Sequence, residues 1–101
     1  MFGEQDSFQL ILHSGNARSL ANEAISLIKA GQTNQAKEKL KTAHQELILA
    51  QKKHAEMLRN MANNSDLIVN LLVVHAEDHV SGSQGAFELA REVVDIYERF
   101  G

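Results

Sequence analysis

The stretch AKEKLKTAHQELILAQKKHAEMLRNM, residues 36 to 61, decides the fold. Ala36, Leu40, Ala43, Leu47, Ala50, His54, Met57 and Met61 recur at intervals of 4, 3, 4, 3, 4, 3 and 4 residues. A strand repeats every second residue, so this spacing belongs to a helix with one sustained apolar stripe.

The same rhythm returns after it. Ile68, Leu72, His75, His79, Gly82, Ala86, Leu89, Val93, Ile96 and Phe100 again alternate by 4 and 3, and the phase runs unbroken through SGSQG at 81 to 85. One long helix is expected there, although Gly82 and Gly85 each cost about 1 kcal/mol relative to alanine and mark where a break would fall. Upstream, Leu10, Ala17, Ala21, Ala24 and Ile28 form an apolar face widened by Leu20, Ile25 and Leu27 and interrupted by His13 and Gly15.

Two punctuation points separate these segments. In AGQTN, residues 30 to 34, Gly31 suits a helix C-terminus and Thr33 or Asn34 an N-cap. In NNSD, residues 63 to 66, Asn63 and Asn64 can end a helix and Ser65 or Asp66 can cap the next. The expectation is all-α: a single domain over 1–101, an antiparallel three-helix hairpin bundle with helices near 6–30, 33–62 and 66–100. Ile48, Leu49, Leu71, Val73 and Val74 fall off the single seam, so apolar surface is left over for self-association.

Composition agrees with helices. Of 101 residues, 44% are hydrophobic, only 5% aromatic and none is proline. The core must therefore come from Leu, Ile, Val, Ala and Met. A formal charge of −3 leaves no electrostatic footprint for nucleic acid, and the lysines at 37, 39, 41, 52 and 53 alternate with Glu and Gln as on a solvated helix face. With no cysteine there is no disulfide, thiolate zinc site or cysteine nucleophile. No apolar run reaches membrane-spanning length, and MFGEQDSFQL lacks the basic-then-apolar order of a signal peptide; a cytoplasmic protein is expected.

Against this background LLVVHAEDHVSG, residues 71 to 82, is anomalous. His75, Asp78 and His79 share one helix face, and both histidines fall on the seam. Glu77 lies about 200° round from His75 and is directed elsewhere, to solvent or a neighbouring chain. The plain reading is a pair of core histidines satisfied by neighbours, with Asp78 paired to a lysine. That reading suits a lone seam histidine such as His54, whose ring can bond across the bundle. It suits three ionisable groups in one turn less well, because their desolvation costs add. His44 reads as a partly exposed surface residue, and His13 as facing the same interior as the trio.

Two chemical readings remain. His at i and i+4 chelates a metal, and H-x-x-D-H approaches the inverted zinc-protease motif H-x-x-E-H, but Asp stands in place of Glu and no third ligand follows with suitable spacing. Alternatively a histidine is a nucleophile toward phosphorus. A neutral imidazole, with an ordinary pKa near 6.5, attacks phosphorus well and leaves readily, and phosphoryl transfer needs positioning and charge stabilisation most.

VVHAEDHV resembles the VHAQDHLM signature of the lactose/cellobiose-type IIA component of the bacterial phosphoenolpyruvate-dependent sugar phosphotransferase system. SGNARSLANEAISLIKAGQTNQAKEKL is similar to that family's first helix, turn and second helix, including the element at Ser14, Gly15, Ala17, Arg18 and Ser19. The resemblance implies a homotrimer assembled through the third helices. It implies that His75 is the phosphorylated residue, taking phosphate from phospho-HPr and passing it to a cysteine of the cognate IIB component, with the membrane IIC permease an indirect partner. It implies that Asp78 lies at the trimer axis, where three copies share a metal ion, Mg²⁺, and that His79 supports the phosphoryl group. Glu77 replaces the usual glutamine, and HVSGSQGA replaces a bulkier HLMTS-like continuation. The alternative kept open is a non-catalytic, metal-stabilised helical assembly module, with a metallohydrolase third.

Overall fold

The computed structural model describes residues 4–63 and 71–101, all but the last of which lie in three helices or the turn between the first two. Helix α1 spans Glu4–Lys29, α2 Thr33–Asn63 and α3 Leu71–Phe100. The expected caps at Asn64, Ser65 and Asp66, the seam residue Ile68 and the expected start of α3 at 66 lie outside the described residues.

The turn between α1 and α2 is built by glycine. Gly31 has φ of +80°, a left-handed conformation in which a Cβ would be strained. It lets the Gln32 amide donate back to the Leu27 carbonyl at 2.9 Å and the Gly31 amide to Ile28 at 3.0 Å, the two bonds of a Schellman motif. The N-cap position of α2 falls to Gln32, not to Thr33 or Asn34, because the Gln32 carbonyl already accepts the Ala36 amide at 3.0 Å.

Three apolar layers follow one another along the rod. Leu10, Ala50, Ala76 and Val80 form the first, Ala17, Ala43, Leu47 and Phe87 the second, and Ala24, Ile28, Ala36 and Val94 the third. From layer to layer the residue numbers rise along α1 and α3 and fall along α2. Alanine recurs in every layer, and Ala17, Ala21, Ala24, Ala36, Ala43, Ala50, Ala76 and Ala90 are fully buried. Such small side chains let helix backbones approach closely, so dispersion over many short contacts replaces bulky interlocking. The buried serines fit the same space: Ser14 donates to the Leu10 carbonyl at 2.8 Å and Ser83 to that of Val80 at 2.9 Å, each within its own helix.

The stripe read along α2 is the one that packs inward, with Leu40, His54 and Met61 at its half-buried margin. On α3 the inward stripe is displaced by one residue. Ala76, Val80, Ser83, Phe87, Ala90 and Val94 are buried, whereas Leu89, Ile96 and Phe100 from the expected seam are 61%, 52% and 84% exposed. Both sets follow the same 4 and 3 rhythm, so periodicity alone cannot choose between them. Close approach to α1 chooses, favouring the stripe with alanine and serine at its narrow points. Helix α3 continues through Gly82 and Gly85 without a break.

The rod measures 53 × 19 × 18 Å and its radius of gyration is 15.7 Å, above the roughly 13 Å of a compact domain this size. An elongated bundle has little interior, and its exposed apolar residues are correspondingly many. Gly85 faces open space inside a helix, so Gly85→Ala is expected to raise stability by up to about 1 kcal/mol. Gly31→Ala, forced to a positive φ, is expected to lower it by about 1 kcal/mol or more. Urea unfolding midpoints of the two variants at equal protein concentration check both signs.

Candidate functional site

With Ala76 and Val80 turned inward, the polar trio is turned outward. His75 and Asp78 are exposed and His79 is half-buried. The expectation that both histidines occupy the bundle seam is thus corrected, and the desolvation problem it raised is relieved within a single chain. Nitrogen Nε2 of His79 stands 3.2 Å from Nε2 of His75, with ring centroids 4.5 Å apart and planes at 79°. One of these nitrogens donates and the other accepts, so each ring fixes its neighbour's tautomer.

Asp78 forms no ion pair among the described residues, so the lysine partner of the plain reading is absent there. Lys53 instead binds Asp6 at 3.0 Å and Glu56 at 3.5 Å. The hydrogen bond to Asp6 holds the Lys53 ammonium above its ordinary 10.5, against partial desolvation. Asp78 and His75 share an open groove of about 750 Å³ with Phe8, Leu71, Leu72 and Val74. Leu71, Val74 and Phe8 are 85%, 51% and 54% exposed, so the nucleophile candidate sits in an apolar rim.

The other histidines are accounted for elsewhere. His13, read as facing the same interior as the trio, pairs with Glu46 of α2 at 2.5 Å. His54 reaches across the bundle to Glu77 at 3.0 Å, which gives Glu77 a partner within its own chain. His44 is exposed and stacks on Phe87 at 5.3 Å between centroids. Among the described residues no group of three or more His, Asp or Glu could hold a metal ion. Within one chain the groove at His75 holds one carboxylate, Asp78, and the metal-stabilised module gains no support from it.

The family described as PTS system, lactose/cellobiose specific IIA subunit, matches residues 5–98. The chain belongs to this family. It is 40% identical over 96 residues to the lichenan-specific phosphotransferase enzyme IIA component of Bacillus subtilis (strain 168), covering 95% of this chain and 87% of that one. The cellobiose-specific enzyme IIA of Bacillus anthracis superimposes with a TM-score of 0.90 at 35% identity, over 98% and 91% of the two chains. A third similar structure is an Escherichia coli chitobiose IIA in complex with HPr, with a TM-score of 0.75, 29% identity and coverage of 95% and 93%. As a IIA component the chain is part of a phosphotransferase system, and among the described residues no helix is long and apolar enough to cross a membrane.

Two residues of α1 beside this face of α3 escaped the reading of the sequence. Phe8 lies a whole helix away in the chain and carries no spacing signal. Arg18 lies within the quoted ARS element, and only the fold places its guanidinium beside Gly82. The His54–Glu77 bond fastens the site's helix to α2 from the side opposite the trio. A double-mutant cycle with His54→Ala and Glu77→Gln is expected to give a coupling of about 0.2–1 kcal/mol, as for other exposed ion pairs.

Proposed function

We propose that this chain is the phosphohistidine carrier of a sugar phosphotransferase system, accepting phosphate from phospho-HPr on His75 and passing it to its IIB component. The observation that carries this reading is an exposed His75 with a second imidazole 3.2 Å away, on a chain belonging to the IIA family. The complex of a similar chitobiose IIA with HPr supports HPr as donor.

In the proposed step a lone pair of the His75 imidazole forms a nitrogen–phosphorus bond while the donor's own nitrogen–phosphorus bond breaks. The electron pair returns to the donor imidazole, which takes up a proton, and His75 releases the proton from its other ring nitrogen. His79 then donates to a phosphoryl oxygen in place of its former partner. In the return step a thiolate of IIB takes the phosphoryl group, the electrons of the broken nitrogen–phosphorus bond return to the His75 ring, and the ring takes back a proton on its other nitrogen. Nothing here requires the protein to do more than position and neutralise.

The apolar rim at Leu71 and Val74, with Leu89, Ile96 and Phe100 further along, supports assembly as an antiparallel-hairpin homotrimer through α3. Asp78 lies on this outward surface, so three copies would bring three carboxylates together at an axis. Mg²⁺ bound there would supply charge neutralisation, since like charges in an apolar contact repel strongly. The sugar is of the lactose/cellobiose class and is handled by the IIC permease, so this chain need never touch it.

Mixing the protein with phosphoenolpyruvate, enzyme I and HPr is expected to add one acid-labile, alkali-stable phosphoryl group by intact mass, and none in His75→Ala. No phosphate on the folded parent, with the enzymes active on another acceptor, would sink the carrier reading. Asp78→Leu is expected to sediment as a trimer even with chelator present. A monomeric variant would show that Asp78 does not lie at the axis.

A further inference from the structure

Arg18 of the ARS element has a defined place in the fold, beside Gly82 of α3. A Cβ built on Gly82 would meet Nη1 of Arg18 at 3.0 Å, so the guanidinium lies against the one position of this turn that has no side chain. Gly82 follows His79 by three residues and His75 by seven, which sets all three on one face of α3. Along the axis they are separated by about 4.5 and 6 Å.

The direction of the side chain matters as much as its position. Helical side chains lean toward the N-terminus of their own helix. Residue numbers rise together along α1 and α3 from layer to layer, so Arg18, leaning that way, leans toward His79 and His75. Its charge is also unspent: among the described residues Arg18 forms no ion pair, and it is exposed. The nearest acidic residue in sequence to His75 that could have claimed a cation, Glu77, is bound to His54 instead.

We propose that Arg18 is a ligand of the phosphoryl group on His75, its guanidinium passing through the notch at Gly82 to donate to the phosphoryl oxygens alongside His79. This rests on the carrier reading and adds a residue to it. A guanidinium presents paired N–H donors that match two oxygens of a phosphate, and such charge-assisted bonds are the strong ones. Arg18 makes and breaks no covalent bond. As the new nitrogen–phosphorus bond forms and the donor's breaks, it neutralises the charge on the group in flight and holds the product.

The test compares the parent with Arg18→Gln and Arg18→Lys in phosphoryl transfer from phospho-HPr. Arg18→Gln is expected to lower kcat by about ten- to a hundredfold, the loss of one or two charge-assisted bonds, with KM for phospho-HPr little changed. Arg18→Lys, a point charge without the fork, is expected to fall between. In the parent, phosphorylation is expected to move the Arg18 Nε–H proton resonance downfield, and no such change is expected in His75→Ala. A folded Arg18→Gln chain with parental kcat would overturn the proposal. Should Arg18→Gln not fold, the parent's own resonance decides: a downfield move supports the contact, and no move overturns it. A parent that takes no phosphate at all brings down the carrier reading itself, and this inference with it.

Discussion

Alanine against alanine is the constraint from which the rest of this molecule follows. Helix α1 packs against both other helices, and buried alanines mark its faces at 17, 21 and 24, those of α2 at 36, 43 and 50, and those of α3 at 76 and 90. Close approach is possible only where the facing residues are small. That requirement fixes the rotation of α3 about its own axis. Once Ala76 packs beside Leu10 of α1, His75 is turned out of that contact to its edge, because neighbouring residues on a helix are about 100° apart. The exposure of the candidate nucleophile is thus a by-product of how the core is packed, and no separate element is needed to present it.

The same rotation separates two kinds of polar residue within one turn. Glu77 is carried round to α2, where His54 meets it, while Asp78 and the histidine pair stay on the outer surface. An acidic residue two places from the proposed acceptor of phosphate would otherwise set like charges against one another. Here its charge is tied to an imidazole on the far side of the helix. The substitution of Glu for the family's usual Gln is therefore accommodated by a partner that the chain itself provides.

How much of this could be read from the chain depended on whether competing readings differed in spacing. The α2 stripe had no rival at the same period, and Ala36, Ala43, Leu47, Ala50 and Met57 proved to be its buried members. On α3 two stripes one residue apart, 75/79/82/86 and 76/80/83/87, have equal rhythm; Leu72, Leu89, Val93 and Ile96, in phase with the first, drew the reading to it, and the second carries the polar Ser83. Its hydroxyl is satisfied within its own helix, a local bond that no hydropathy pattern reveals. The histidine pair was legible because i and i+4 always meet on a helix. Arg18 was not, since its proximity to Gly82 is set by the pairing of two helices distant in sequence. Gln32 lost its cap role in the reading for a similar reason: the cap is defined by which carbonyl accepts the first amide, and a Thr and an Asn nearby drew attention from it.

The turn at Gly31 has a practical side. It lies at the end of the rod away from His75: from the level of Leu10, which packs beside Ala76, to Gly31 is about 30 Å along α1. Whatever docks at the histidines need not reach that end, and the turn's residues 30 to 32 are exposed. A fluorophore or a surface tether attached at Gln32 would therefore leave the chemistry untouched. The rod can be held by one end while the other is used, which makes the chain suitable for following single encounters with the proposed donor and acceptor in real time.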